Sequence, residues 1–121
     1  MGIVTLTVQE MARTGLAVTR TASGASPLLN VVDTFQFNNT GKEFLHFMKS
    51  GAGACTVTIS TPGTVDGLAI ADRTVTVAAT TGDNMIGPFP PANYNTAGTA
   101  TFAGFTVSEV TGLTVAIIRM P

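Results

Sequence analysis

Residues 35–60, FQFNNTGKEFLHFMKSGAGACTVTIS, carry the reading that decides the fold. Phe35-Gln36-Phe37 open a strand, Asn38-Asn39-Thr40-Gly41 supply turn chemistry, and residues 42–49 climb as a second strand. Ser50-Gly51-Ala52-Gly53 then reverse the chain into a third strand over residues 55–60. In that third strand Cys55, Val57 and Ile59 alternate with Thr56, Thr58 and Ser60, the period-two pattern of a strand with one buried face. The whole stretch reads as a core hairpin, strands joined by tight turns.

Outward from it, strand signals recur at roughly the 8–12-residue spacing of sandwiches and barrels. Thr61-Pro62-Gly63 breaks the sheet, and Asp66-Gly67 leads into Leu68-Ala69-Ile70. Asp72-Arg73 forms a polar corner before Thr74-Val75-Thr76-Val77, whose valines face inward. Residues 80–84 form a turn cluster, after which Met85 and Ile86 begin a short strand that Pro88 must stop. Residues 88–95, PFPPANYN, are stiffened by three prolines, so Phe89 and Tyr94 either plug one end of the sandwich or stand out as aromatic anchors. Strands over residues 99–106 and 113–120 close the chain. The last carries Val115-Ala116-Ile117-Ile118, a run suited to a strand covered on both faces.

Towards the N-terminus, Thr7 followed three positions later by Glu10 matches a capping box, with Gly15 as a left-handed stop; this predicts a helix of about two turns. Residues 17–30, rich in Thr, Ser, Ala and Gly, read as an extended arm or a long surface connection. The expected architecture is therefore all-β: a single β-sandwich or jelly-roll-like domain over residues 31–121, preceded by an arm over residues 1–30 with a short helix.

Composition narrows the function. At 121 residues the chain is one domain, and its 11% charged residues compare with about 25% in typical domains. Six basic residues scattered from Arg13 to Arg119 argue against nucleic-acid binding, which needs clustered cations. A net charge of −1 protects poorly against self-association, so partners are expected to cover part of the surface. No stretch is long and apolar enough to span a membrane and no signal-peptide pattern opens the chain, so neither membrane nor secretion is expected.

Reactive constellations are scarce. Cys55, the only cysteine, falls in phase with Val57 and Ile59 and reads as an apolar filler, compatible with a reducing cytoplasm. His46, the only histidine, sits among Phe44, Phe47 and Met48 and reads as packed or at an interface. The acidic residues Glu10, Asp33, Glu43, Asp66, Asp72, Asp83 and Glu109 fall mostly where turns and helix ends need capping. The expectation is no enzyme, no cofactor and no metal.

Five motifs in order resemble small head proteins of tailed bacteriophages: residues 7–16 TVQEMARTGL, residues 41–47 GKEFLHF, residues 72–77 DRTVTV, residues 86–91 IGPFPP and residues 115–119 VAIIR. The resemblance is to decoration or cement proteins, and it spans nearly the whole chain. It implies a non-enzymatic β-sandwich that binds the major capsid protein on the outside of the head, forms a homotrimer, and stabilises the expanded shell in the virion after assembly in the host cytoplasm. The contacts expected with capsid or neighbouring subunit are Gln9, Arg13, Leu16 and Arg20 in the N-terminal segment, and Phe89 and Tyr94 in the proline corner. A neck, tail or fibre-base protein is an alternative. So is a carbohydrate-binding or hydrolytic β-sandwich using Asp66, Asp72 or His46.

Overall fold

The computed structural model describes residues 3–18, 20–22, 31, 33–62, 64–95 and 102–120. In chain order these form β1 (Ile3–Thr5), β2 (Gln9–Glu10), β3 (Thr21–Ala22), β4 (Thr34–Asn38), β5 (Glu43–Lys49) and β6 (Cys55–Ile59). There follow β7 (Thr64–Val65), β8 (Leu68–Ala69), β9 (Arg73–Val77), β10 (Gly82–Ile86), the single-turn α1 (Pro91–Tyr94), β11 (Phe102–Val107) and β12 (Leu113–Arg119). One sheet has the order β1-β4-β11-β6-β9 and the other β10-β5-β12-β2, with β3 also on β12. Packed face to face, they make an all-β sandwich-like domain.

Alternation places the core. Phe35 and Phe37 of β4, Cys55, Val57 and Ile59 of β6, and Ala103, Phe105 and Val107 of β11 line one inner face. Leu45 and Phe47 of β5, Leu113, Val115 and Ile117 of β12, and Ile86 of β10 line the other. Phe105 joins the two layers. Its ring stacks on Phe35 at 5.6 Å and meets Phe47 edge-on at 5.6 Å and 89°. Each geometry suits the aromatic quadrupole.

The strands of residues 35–60 are as expected, but they do not form a hairpin. β4 pairs with β1 and β11, β5 with β10 and β12, and β6 with β9 and β11. The chain therefore crosses from one sheet to the other and back. Inward-facing residues on every strand satisfy an arch between sheets as well as a hairpin within one, and partners from residues 102–119 decide the choice.

The expected helix over residues 7–15 is absent. Val4, Leu6 and Val8 alternate with Thr5 and Thr7, and this period-two pattern overrides the capping box, since a two-turn helix is marginal in water. Val4 and Leu6 are buried, β1 runs parallel to β4, and Leu6 donates its N–H to Gln36 at 2.8 Å. Gly15 does adopt a left-handed φ of 99°, closing a turn onto the Ala12 carbonyl instead of ending a helix. The described residues of the 1–30 arm, 3–18 and 20–22, contribute strands to both sheets and belong to the sandwich; residues 1–2, 19 and 23–30 lie outside the described residues.

Two further expectations shift. Gly82, Asp83 and Asn84 belong to β10, so the turn before it centres on residues 79–81. Leu68 and Ala69 are exposed in the small β7–β8 hairpin, turned by left-handed Asp66 and Gly67, rather than in the main sheets. The apolar run of β12 is covered on both faces as read: Val115 and Ile117 point into the core cluster, while Ala116 and Ile118 are buried outside it.

Candidate functional surface

β5 alternates Glu43, Leu45, Phe47 and Lys49 inward with Phe44, His46 and Met48 outward. The outward set lies beside Asp83 and Met85 of β10 and beside Thr114, Ala116 and Ile118 of β12. This outer face of the second sheet gathers the protein's polar and apolar features.

Its polar centre is Arg20. Nε donates to Thr114 Oγ1 at 2.8 Å, one terminal nitrogen donates to the carbonyls of His46 at 2.7 Å and Thr114 at 3.3 Å, and the other lies 3.3 Å from His46 Nδ1. Guanidinium nitrogens only donate, so Nδ1 is the acceptor and the imidazole proton sits on Nε2, which donates to Asp83 Oδ1 at 2.5 Å. Burial lowers the Arg20 pKa, and the nearby Asp83 works against that. The row Asp83–His46–Arg20 thereby pins the segment entering β3 against β5 and β12.

Arg20→Met keeps the aliphatic length and removes these hydrogen bonds. Loss of about 1–3 kcal/mol of local stability is expected. Hydrogen exchange should show the Thr21 and Ala22 amides opening faster while the β5 and β12 amides keep their protection. Unchanged exchange at Thr21 and Ala22 would show that the clamp does not hold the segment.

An apolar groove of about 450 Å³ lies at one end of this face, lined by Phe44, Met85, Ile86, Pro88 and Met120 with Gly41 and Lys42 at its side. Met85 is 68% exposed, Met120 50% and Met48 41%, so three of the four described methionines stand on the surface.

The residues expected to make contacts fall into two groups. Gln9 lies in β2, parallel to Ile118–Arg119 at the sheet edge; Arg13 is exposed in a turn, Leu16 half-buried, and Arg20 committed to the clamp. Phe89 and Tyr94, by contrast, are buried. Their rings lie 5.2 Å apart, Phe89 packs on Phe37 at 5.8 Å, and the Tyr94 hydroxyl accepts from Arg73 at 3.1 Å. Of the two readings of the proline corner the structure supports the plug, so Phe89 and Tyr94 do not serve as outward anchors.

Chemistry in the acidic residues is dispersed. Asp72 Oδ1 accepts from the Thr61 N–H and hydroxyl at 3.1 and 3.2 Å, and Glu109 accepts the N–H groups of Val110 and Thr111. Glu43 caps the preceding turn at Thr40 from its position at the start of β5. It is fully buried, receives the Thr40 N–H at 2.6 Å and pairs with Arg119. Its place in the inward phase of β5 is the signal that locates it. Lys49, in the same phase, is buried too. No group of three or more His, Cys, Asp or Glu with metal-binding geometry occurs among the described residues.

No family model, curated protein or solved structure matches the chain. The face itself therefore has to supply the functional reading.

Proposed function

We propose that the protein is a non-enzymatic virion component of a tailed bacteriophage, a decoration or cement protein that binds the major capsid protein on the outside of the head as a homotrimer. The observation that carries the reading is the exposed apolar face around Phe44, Met85 and Met120, set in a chain whose charge is only −1. Clustered exposed apolar side chains suit a surface that a partner covers, and methionine adapts its shape to what it meets. The order of the five motifs supplies the phage context.

Such a protein acts by mass action. Binding the expanded shell and not the unexpanded one shifts the lattice towards expansion, each copy adding a small free energy in parallel with the others. A trimer places three apolar faces on the lattice at once.

Co-sedimentation with expanded and unexpanded shells of the phage's own capsid protein tests this. The wild-type protein is expected to pellet with expanded shells alone. A Met85→Glu/Met120→Glu double variant with an unchanged circular-dichroism spectrum is expected to stay in the supernatant. Failure of the wild type to bind, or equal binding by the double variant, would remove the reading. Electron cryomicroscopy of the pelleted particles separates head from neck or tail attachment. Point variants serve better than truncation here, because residues 3–22 supply strands to both sheets.

A further inference from the structure

β9 (Arg73–Val77) ends the first sheet and, among the described residues, pairs with β6 alone. We propose that its free edge pairs antiparallel with the same edge of a second copy of this chain, about a two-fold axis at Val75. The inference does not rest on the virion reading.

The backbone register shows which groups are free. β6 bonds to β11 through its even-numbered positions, since Ser60 donates to the Gly104 carbonyl at 3.0 Å and Ser108 donates to the Thr56 carbonyl at 3.1 Å. A residue of an antiparallel strand directs its N–H and C=O to the same side, so Cys55, Val57 and Ile59 direct theirs to β9. They lie opposite Val77, Val75 and Arg73. Thr74 and Thr76 therefore point both backbone groups away from the sheet, and among the described residues no hydrogen bond reaches those groups. Both residues are exposed.

Natural sheet edges are blunted by shortness, charge or proline. β1 has three residues, β2 and β3 have two each, and β10 carries the poor strand formers Gly82, Asp83 and Asn84 with Pro88 just beyond. β9 reads Arg-Thr-Val-Thr-Val, good strand formers with a charge only at the first position. It is a template left open.

The edge is complementary to itself, which identifies the occupant. With Val75 opposite the second copy's Val75, Thr74 falls opposite the second copy's Thr76, and Arg73 opposite its Val77. Each outward N–H and C=O of Thr74 and Thr76 then meets its complement. Val75 is half-buried against the core and covers its equivalent at a closely spaced, non-hydrogen-bonded position. On the outer face the new Thr74–Thr76 pairs extend the threonine rows that Thr106, Thr58 and Thr74, and Thr56 and Thr76, already form. Charge does not oppose the contact, because the two Arg73 side chains lie at opposite ends of the paired strands and each copy carries a net charge of only −1. Using β9 of both copies, the contact closes at a pair instead of growing into a fibre. In a homotrimer it joins one trimer to the next.

Sedimentation velocity and amide hydrogen exchange of the full chain, from micromolar to millimolar concentration, test the pairing. Mass is expected to rise with concentration, and the Thr74 and Thr76 amides to become protected with it, while the Val75 amide, bonded to β6, is protected throughout. Thr76→Pro removes only an N–H that points off the edge, so the fold is expected to survive by circular dichroism. The hydrogen bond is lost once from each copy, which is expected to weaken pairing about tenfold or more. Thr74→Lys/Thr76→Lys sets lysine opposite lysine and is expected to abolish pairing, whereas Thr74→Glu/Thr76→Lys sets glutamate opposite lysine and is expected to restore it. A mass independent of concentration, association that leaves both amides exposed, or association that survives Thr76→Pro and the double lysine variant would overturn the proposal. Protection that appears only when capsid shells are added would assign the edge to another protein's strand and overturn self-pairing.

Discussion

Phe105→Ala is expected to lower the unfolding free energy by about 3–5 kcal/mol, a large share of the roughly 5–15 kcal/mol that holds a domain of this size together. Among the described residues Phe105 is the one ring that touches aromatic partners in both sheets: Phe35 at 5.6 Å and Phe37 at 6.4 Å in its own sheet, and Phe47 at 5.6 Å across the interface. Its flanking Cα partners are Phe35 and Ile59, both fully buried, so neighbouring strands cannot collapse into the cavity without breaking register. Urea denaturation followed by far-ultraviolet circular dichroism measures the loss. A cost below about 1 kcal/mol would mean that the rings repack freely and that Phe105 does not bridge the layers.

Glu43→Ala should be of similar size, about 3–5 kcal/mol, because removing one partner of a buried ion pair leaves the rest of the network unmatched. Arg119 would lose its carboxylate, and Thr40 an acceptor for both its N–H at 2.6 Å and its hydroxyl at 3.0 Å. Arg119 keeps some solvent contact, with 26% of its side chain exposed, which puts the expectation towards the lower end. The same site sets an acid limit. Burial alone would raise the Glu43 pKa, but the Thr40 N–H, the Arg119 guanidinium and the Thr40 hydroxyl outweigh it, and the carboxyl is held below its ordinary 4.5.

A depressed folded pKa means that the unfolded chain takes up the proton first as pH falls. The stabilisation is therefore complete above about pH 4.5 and drains away below it, through the folded pKa. Glu109 is shifted the same way by the Thr111 and Val110 N–H groups. Melting temperatures taken from pH 6 downwards should fall on this acid limb, and the limb should be shallower in Glu43→Gln. Parallel limbs in wild type and variant would assign the acid sensitivity elsewhere.

Much of this core is legible from alternation alone. Cys55, Val57 and Ile59 are buried because a strand with period-two polarity has one face to hide, and Val115 to Ile118 are all buried because a four-residue apolar run has two. The same logic was available in Val4, Leu6 and Val8, where the capping-box pattern of Thr7 and Glu10 competed with it. A capping box contributes only at a helix end, whereas the alternation gains burial at each turn of the pleat, and burial wins. The candidate sites were less legible. Arg20, His46 and Asp83 are far apart in sequence, and although His46 lies in the 41–47 motif nothing in that motif points to Arg20 or Asp83; Lys49 carries no mark beyond its phase in β5.

The sequence by itself determined most strands from β4 onwards, their inward faces and the aromatic core, because these depend on spacing within a few residues, and it left the proline corner open between plug and anchor. The tertiary structure decided partners: that β4, β5 and β6 alternate between sheets, that the N-terminal segment joins both, and that β9 ends its sheet. The physical reason is that a strand's backbone bonds equally well to any neighbour of suitable register. Only the competition among all faces for burial against one another selects which neighbour that is.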